Sequence, residues 1–226
     1  MTRPHAHGRP SALIVIDGDD VYEDLFTASL KLAEILTEAG FAAHTAMGTA
    51  RLADGGADLF VLYTALGAFP PARQVALAAA VRSGSGLLAV HSANVFPGPA
   101  ASHRTAHQLI GSRYLSHGPE PHHSRFRVQT DRRHPVTRPV APFEITHEHY
   151  RIETAADAQV VAWRDTPDGR EPVAYVRAAG RGRVCYLQLG HDMRRWDEPP
   201  VRELVTRAGR WASRETTAGR AGGLVR

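Results

Sequence analysis

Polar residues that could do chemistry follow directly after three short hydrophobic runs of this sequence. They are Asp17 and Asp19 after SALIVI, His91, Ser92 and Asn94 after LLAV, and His191 and Asp192 after VCYLQL. Each run is typical of a strand buried on both faces of a parallel sheet. Ligands of such sheets bind outside the carboxyl ends of the strands. The sequence therefore predicts a histidine-rich polar site at that edge, where Asp17, Asp19, Ser92 and Asn94 are candidates for binding a substrate.

A second group of candidates is the run His147-Glu148-His149-Tyr150. In an extended chain, Glu148 and Tyr150 share one face, and His147 and His149 share the other. This spacing differs from the helical H-E-x-x-H pattern of zinc proteases, so that motif is excluded. Either face could supply metal ligands or an acid/base pair, and the alternation alone does not choose between them.

Ordinary structural roles compete with these interpretations. His91 and His191 could be buried groups with satisfied hydrogen bonds. His117 lies in a loop bounded by Gly and Pro, where exposure to solvent is the simplest expectation, and Asp20 is predicted to cap the following helix. Two histidines at the ends of separate strands nevertheless shift the balance toward a site.

The elements that must position these residues alternate between strand and helix through the first hundred residues. Apolar residues recur at helical spacing over 24–39, and a second helix is predicted over 70–82. This order implies parallel strands with right-handed crossovers, hence a doubly wound sheet. After a predicted helix at 102–113, short strands follow, including one at 143–152. We therefore expect an α/β fold with a mostly parallel sheet and an antiparallel β insertion before the last core strand.

The bulk composition limits the class of protein. No apolar run reaches the roughly 20 residues that cross a bilayer, and the lone Cys185 cannot form an intramolecular disulfide. The formal net charge is +4, but the arginines are scattered, so neither nucleic acid nor a membrane is an expected partner. We predict a cytoplasmic protein with one domain over 11–213 and frayed termini at 1–10 and 214–226.

The order of several motifs resembles the trehalose-utilisation (ThuA-like) family of the class I glutamine amidotransferase-like superfamily. These motifs are ALIVIDGDD, GLLAVHSA, HPVT, HEHY, PVAYVRAAGRGRV, LGHD and VRELVTRAGRWA. The resemblance implies a flavodoxin-like core and a role in carbohydrate metabolism, with oxidised (keto) disaccharides such as those derived from trehalose as the expected substrates. The family residues that match are His91, His117, Glu148, Tyr150 and His191, and Tyr150 is a further candidate for binding the substrate. His147 stands where an aspartate is common in the family.

The resemblance also argues against glutamine hydrolysis. The amidotransferases of the superfamily carry a nucleophilic cysteine on the turn after the strand that corresponds to LLAV. At that turn this chain reads Val90-His91-Ser92. Three imidazoles and a carboxylate, from His91, His117, His191 and Glu148, would instead suit a divalent metal such as Zn, Mn, Fe or Ni. A bound ketosugar would be polarised, and Glu148, His149 or Asp192 could act as the base. Isomerisation, elimination and hydrolysis all remain open outcomes.

Two alternatives belong to other classes. Ser92 could be the nucleophile of a metal-free hydrolase with His191 and Glu148, although the G-x-S-x-G glycines are missing. The chain could also be a non-catalytic sugar-binding or regulatory module, because fold alone does not imply function. In each case a sugar is the expected ligand, and a homodimer is a compatible assembly.

Three geometric expectations follow. His91 and His191 should lie on the same side of the sheet edge, close enough to share an ion. Glu148 and Tyr150 should face this site, which leaves His147 and His149 toward solvent or a partner subunit. Ser92 should turn back and hydrogen-bond the start of the next segment.

Overall fold

The computed structural model describes residues 8–19, 21 and 23–214. Most of both predicted frayed termini, and the predicted cap Asp20, lie outside the described residues. The strands of the described chain are β1 (Ser11–Gly18), β2 (Ala42–Met47), β3 (Leu59–Ala65), β4 (Gly86–Val90), β5 (Ser112–Ser116), β6 (His123–Thr130), β7 (Phe143–Glu148), β8 (Arg151–Thr154), β9 (Gln159–Thr166), β10 (Gly169–Ala179) and β11 (Gly182–Leu187). Its α-helices are α1 (Leu25–Glu38), α2 (Pro71–Arg82), α3 (Arg104–Ile110) and α4 (Pro199–Ala212).

A nine-stranded mixed sheet forms the centre of this α/β fold. Its strand order is β2-β1-β3-β4-β11-β10-β9-β6-β7. The first five strands of this order are parallel to one another. The other four continue the sheet in antiparallel pairs, while β5 and β8 pair separately. We call the five parallel strands with their helices the parallel part, and the segment from β5 to β10 the antiparallel extension.

The hydrophobic runs explain why the parallel strands lie in the centre. Every residue of β3 and β4 is buried, as expected for strands covered on both faces. Alternate residues of β1 enter different cores, with Ile14 on the side of α1 and α4 and Val15 on the side of α2 and α3. Helices thus cover both faces of the parallel part. In the described residues, no helix combines the length and apolar character that a membrane span requires.

The predicted helix at 102–113 is too long. The α-helix ends at Ile110, because Gly111 takes a left-handed conformation with φ 86° and ends the hydrogen-bonded turns. Residues 112–116 then form β5, which the sequence analysis did not predict.

The predicted strand at 143–152 is in fact two strands that belong to different sheets. Chain pairing changes from β6 to β5 between Glu148 and Arg151. The break places Glu148 at a strand end, with His149 and Tyr150 in the connection. Strict alternation of faces therefore stops at Glu148.

Candidate active site

Four side chains converge at the carboxyl edge of the parallel strands: Glu23, His91, Glu148 and His191. Each offers one nitrogen or oxygen atom, and these atoms all lie within 4.8 Å of one another. Glu23 precedes the α1 cap Asp24, His91 follows β4, and His191 follows β11. Glu148 is the last residue of β7, so it alone comes from the antiparallel extension. We call these four residues the Glu/His cluster.

His91 occupies a sharp turn directly after β4 and is completely buried. Its φ of 51° lies in the left-handed region, which is uncommon for a residue with a side chain. The ring Nδ1 lies 2.7 Å from the carbonyl oxygen of Gln188, to which it donates a hydrogen bond. Nε2 therefore faces the cluster. The turn also needs Gly190, because a Cβ there would lie 2.6 Å from the Cβ of His91.

Three oxygen atoms surround the Nε2 atom of His91. It lies 2.9 Å from Oε1 of Glu23 and 3.1 Å from Oε2 of Glu148. The hydroxyl of Tyr150 lies 2.8 Å away. A single hydrogen on Nε2 cannot serve all three oxygens well. The arrangement suits a cation in this space as much as it suits a proton.

Glu23 is the most enclosed carboxylate of the cluster. The Tyr63 hydroxyl donates to its Oε2 at 2.9 Å, and Nδ1 of His191 lies 3.2 Å from the same oxygen. Glu148 is more open, with 15% of its side chain exposed against 3% for Glu23. Its Oε1 lies 3.0 Å from Nε2 of His117, and its Oε2 lies 3.6 Å from Nδ1 of His191.

The cluster shifts the pKa values of its own members. Burial alone would raise the pKa of the Glu23 and Glu148 carboxyls, but hydrogen bonds and charge from the neighbouring imidazoles lower both to about 2. Burial alone would lower the pKa of His91, but the two carboxylates raise it to about 9. The Glu23 carboxylate, whose Oε2 lies 3.2 Å from Nδ1, raises the pKa of His191. Two carboxylates are thus balanced by two imidazolium rings, or equally by one divalent cation and two neutral rings.

His147 and His149 do not face solvent as expected; both are buried. The His147 ring lies 6.0 Å from that of His91, and its Nε2 accepts a hydrogen bond from the Gly190 amide at 3.1 Å. Burial first, then the charge of His91, lowers the pKa of His147 to about 3. His149 lies against Phe126, with ring centroids 6.3 Å apart, and is not a member of the Glu/His cluster. The prediction failed for His147 because it lies with Ile145 on the buried face of β7, whereas the face that carries Glu144 is the exposed one.

Glu148 and Tyr150 do reach the cluster, and His91 and His191 lie together with ring centroids 5.6 Å apart. His117 lies beside the cluster and contacts it only through Glu148 in the contacts of the described residues. Asp192 is not a member of the cluster. The Arg194 Nε donates to its Oδ1 at 2.9 Å, and hydrogen bonding from Arg194 lowers the pKa of Asp192. Of the three candidate bases, Glu148 is the one that belongs to the Glu/His cluster of the described residues.

The four predicted substrate-binding residues after β1 and β4 have other neighbours. Asp19 is exposed and accepts a hydrogen bond from the Val21 amide at 3.0 Å, and Asp17 lies beside Gly67 with its pKa raised by burial. Asn94 donates to the Ser112 hydroxyl at 2.9 Å. Ser92 was expected to bond the next segment, but its Oγ is buried without a partner in the described structure. His91 takes the left-handed position of the turn after β4, so the His91 ring, and not the Ser92 hydroxyl, belongs to the Glu/His cluster.

Glu23 is the cluster residue that sequence reasoning missed. It lies among Asp17, Asp19, Asp20 and Asp24, any of which could have been the acid that reaches the site. The available signal was its position in the loop between β1 and α1, directly before the helix cap Asp24. That position did not distinguish it from its acidic neighbours.

The chain is similar to one protein family and to several solved structures. Residues 13–212 match the family model ThuA, described as trehalose utilisation. A ThuA-like protein from Parabacteroides merdae has a TM-score of 0.73 at 15% identity, covering 91% of this chain and 90% of that one. One from Bacteroides uniformis gives 0.69 at 18% identity, covering 97% and 98%.

More distant structures share the fold within larger proteins. The β-galactosidase from Rahnella sp. R3 gives a TM-score of 0.62 at 14% identity, covering 88% of this chain but 31% of that enzyme. No curated protein sequence matches this chain. At such identities the structural likenesses establish the fold alone.

Proposed function

Because the chain belongs to the trehalose-utilisation (ThuA) family, we propose that it is a carbohydrate-processing enzyme whose reacting centre is the Glu/His cluster. The observation that carries this proposal is the convergence of two carboxylates and two imidazoles within 4.8 Å at the sheet edge where ligands bind. The predicted keto-glycoside remains the substrate class. The strand order of the parallel part, with helices on both faces, supports a doubly wound, flavodoxin-like core.

The residues of the cluster fit a divalent cation such as Zn, Mn, Fe or Ni. Glu23, His91, Glu148 and His191 would hold it, so Glu23 replaces His117 in the predicted ligand set. The fit rests on His91, whose Nδ1 hydrogen bond fixes the ring with Nε2 toward three oxygens. When bound, the cation would supply polarisation of a substrate carbonyl.

Glu148 is the base that this arrangement favours: Oε2 would face the cation, and Oε1, which accepts from His117 and keeps a second lone pair, would take the proton. It is ionised, because its pKa is about 2, and it is more exposed than Glu23. It would remove a proton from the carbon next to the carbonyl of the ketosugar, and the electron pair would move to the carbonyl oxygen, giving an enediolate. Return of that proton to the former carbonyl carbon, with the hydroxyl proton passing to the other oxygen, gives isomerisation. Departure of the glycosidic oxygen, which takes the proton from Glu148, gives elimination, and subsequent addition of water gives net hydrolysis.

His191 and Tyr150 would orient the substrate. The side chain of His191 is 35% exposed, so it lies at the mouth of the cluster. Tyr150 is buried, and burial holds the pKa of its hydroxyl far above the usual value, so it stays protonated and can donate a hydrogen bond. Both groups could hold the sugar oxygens close to Glu148.

The test combines metal content with turnover. Untagged protein is purified, its metal is measured by mass spectrometry, and a keto-disaccharide of the trehalose type is followed by NMR. We expect stoichiometric metal that is lost in His191→Ala and retained in His44→Ala, whose histidine is exposed on β2. Absence of both bound metal and turnover in well-folded protein would refute the proposal.

A further inference from the structure

A hydrogen-bonded chain extends from the Glu/His cluster through His117 to Tyr114 of β5. Nε2 of His117 lies 3.0 Å from Oε1 of Glu148. Nδ1 of the same ring lies 2.6 Å from the hydroxyl of Tyr114. Tyr114 contributes no atom to the cluster itself and has no role in the function proposed above.

The chemistry of the three groups sets the direction of this chain. An ionised carboxylate only accepts hydrogen bonds, so the hydrogen between His117 and Glu148 belongs to Nε2. In the neutral ring, Nδ1 is then the acceptor, and the Tyr114 hydroxyl must donate to it. Tyr114 thereby stabilises the one tautomer of His117 that can donate to Glu148.

Ring packing also holds Tyr114 and His117 in this hydrogen-bonded arrangement. The Tyr114 ring meets Tyr150 edge-on at 5.0 Å, and the His117 ring meets Tyr150 edge-on at 5.1 Å. His122 stacks on the outer side of His117 at 5.0 Å. His117 therefore has little freedom to rotate away from Glu148. Since His117 occupies Oε1, the other oxygen of Glu148 is left facing His91.

We propose that Tyr114 is a positioning residue: through the tautomer of His117, it fixes which oxygen of Glu148 faces the Glu/His cluster. The consequence for catalysis rests on the function proposed above, whereas the effect on His117 does not. Partners of this kind behind a metal ligand typically contribute about 10–100-fold to metal affinity or activity.

The test is Tyr114→Phe, which removes one hydroxyl and keeps the ring contacts. Long-range ¹H–¹⁵N NMR at alkaline pH reports the His117 tautomer without any substrate. We expect the wild-type ring to show a protonated Nε2 and a hydrogen-bonded Nδ1, and the variant to lose the hydrogen-bonded Nδ1 signature. Titration with Zn²⁺ alone should then show affinity at least about tenfold weaker in the variant.

The matched control is Leu115→Ala, which changes an exposed side chain of the same strand β5 and neither hydrogen bond. It should keep the wild-type Nδ1 signature and bind Zn²⁺ within about twofold of wild type. An unchanged Nδ1 signal in Tyr114→Phe, or unchanged Zn²⁺ affinity despite a changed signal, would overturn the proposal. If wild-type protein takes up no Zn²⁺, the proposed cation site fails, and the NMR comparison alone decides the role of Tyr114.

Discussion

The parallel part and the antiparallel extension contribute to the same cluster by different means. Glu23, His91 and His191 come from the parallel part, where topology places strand ends side by side. Glu148 and its partner His117 come from the extension, where a strand break and a loop place them. In the first region the fold itself positions the residues, whereas in the second they depend on individual contacts.

Two histidines make the same contrast at atomic scale. His91 of the parallel part and His147 of the extension are both completely buried, with rings 6.0 Å apart. Their pKa values move in opposite directions, to about 9 and about 3. His91 faces two carboxylates, while His147 has only main-chain partners in the described structure. Burial therefore does not decide the charge of a histidine here; its partners do.

The largest expected effect is in the extension, at Glu148. Glu148→Gln keeps the shape of the side chain but removes the base, so kcat should fall by about 10²–10⁴ while the protein stays folded. Glu144→Gln is the control, because Glu144 is an exposed residue of the same strand that pairs only with arginines in the described structure. Steady-state kinetics on a keto-disaccharide makes the measurement. Equal rates for the two variants would show that the extension does not supply the base.

The parallel part should respond most strongly at Gly190. In Gly190→Ala, the new Cβ would meet the His91 Cβ at 2.6 Å and Val90 at 3.2 Å, so the turn after β4 must shift. We expect a loss of about 1–3 kcal/mol in the free energy of unfolding, typical of overpacking, together with weaker metal uptake. Denaturant unfolding and metal analysis check the two effects. Wild-type values in both would mean that His91 tolerates displacement.

The contrast between the two buried histidines predicts opposite dependences of stability on pH. The pKa of His147 is about 3 in the folded chain, below its ordinary 6.5, so unfolding takes up a proton between these values. Stability from this residue is therefore present above pH 6.5 and is lost as the pH falls. The pKa of His91 is about 9, so its contribution is present below pH 6.5 and is lost as the pH rises toward 9.

His147→Gln isolates the acid side of this contrast, since the amide oxygen can still accept from Gly190. Between pH 6.5 and 4.5, the unfolding free energy of wild type should fall more steeply than that of the variant, by up to about 1.4 kcal/mol per pH unit. Urea unfolding of chelator-treated protein at several pH values gives the two slopes. Parallel slopes would show that His147 is not held neutral by the fold.

The smallest effect is expected at Ser92. Among the described residues its buried Oγ has no hydrogen-bond partner, so Ser92→Ala should leave stability unchanged or slightly higher. Activity should stay within about tenfold of wild type, whereas a loss of about 10⁴-fold would restore the serine hydrolase hypothesis. A chelator should inhibit wild type and variant alike.

Much of the parallel part could be predicted from the sequence, because continuous apolar runs and strand-end polar residues follow one rule of α/β sheets. That rule correctly brought His91 and His191 together, and the family expectation was confirmed. It could not select Glu23, since several acids follow β1 and only the turn geometry distinguishes them. In the extension, Glu148 and Tyr150 reach the cluster as expected, but His147 lies on the buried face of β7, and His149 and Tyr150 lie beyond the strand end, where alternation no longer applies. Tyr114 was missed because the end of α3 at Gly111 depends on one left-handed residue.

The divided origin of the cluster has a consequence for the lifetime of the protein. A ligand that binds all four groups would link the end of β7 to the ends of β4 and β11 and to the start of α1, and it can dissociate again. Mass action then adds about 2.7 kcal/mol to the stability of the closed form when the ligand is at a hundred times its dissociation constant. Proteases attack molecules that have opened, so occupied molecules are spared. The half-life of the protein in the presence of proteases should therefore increase with the concentration of the ligand.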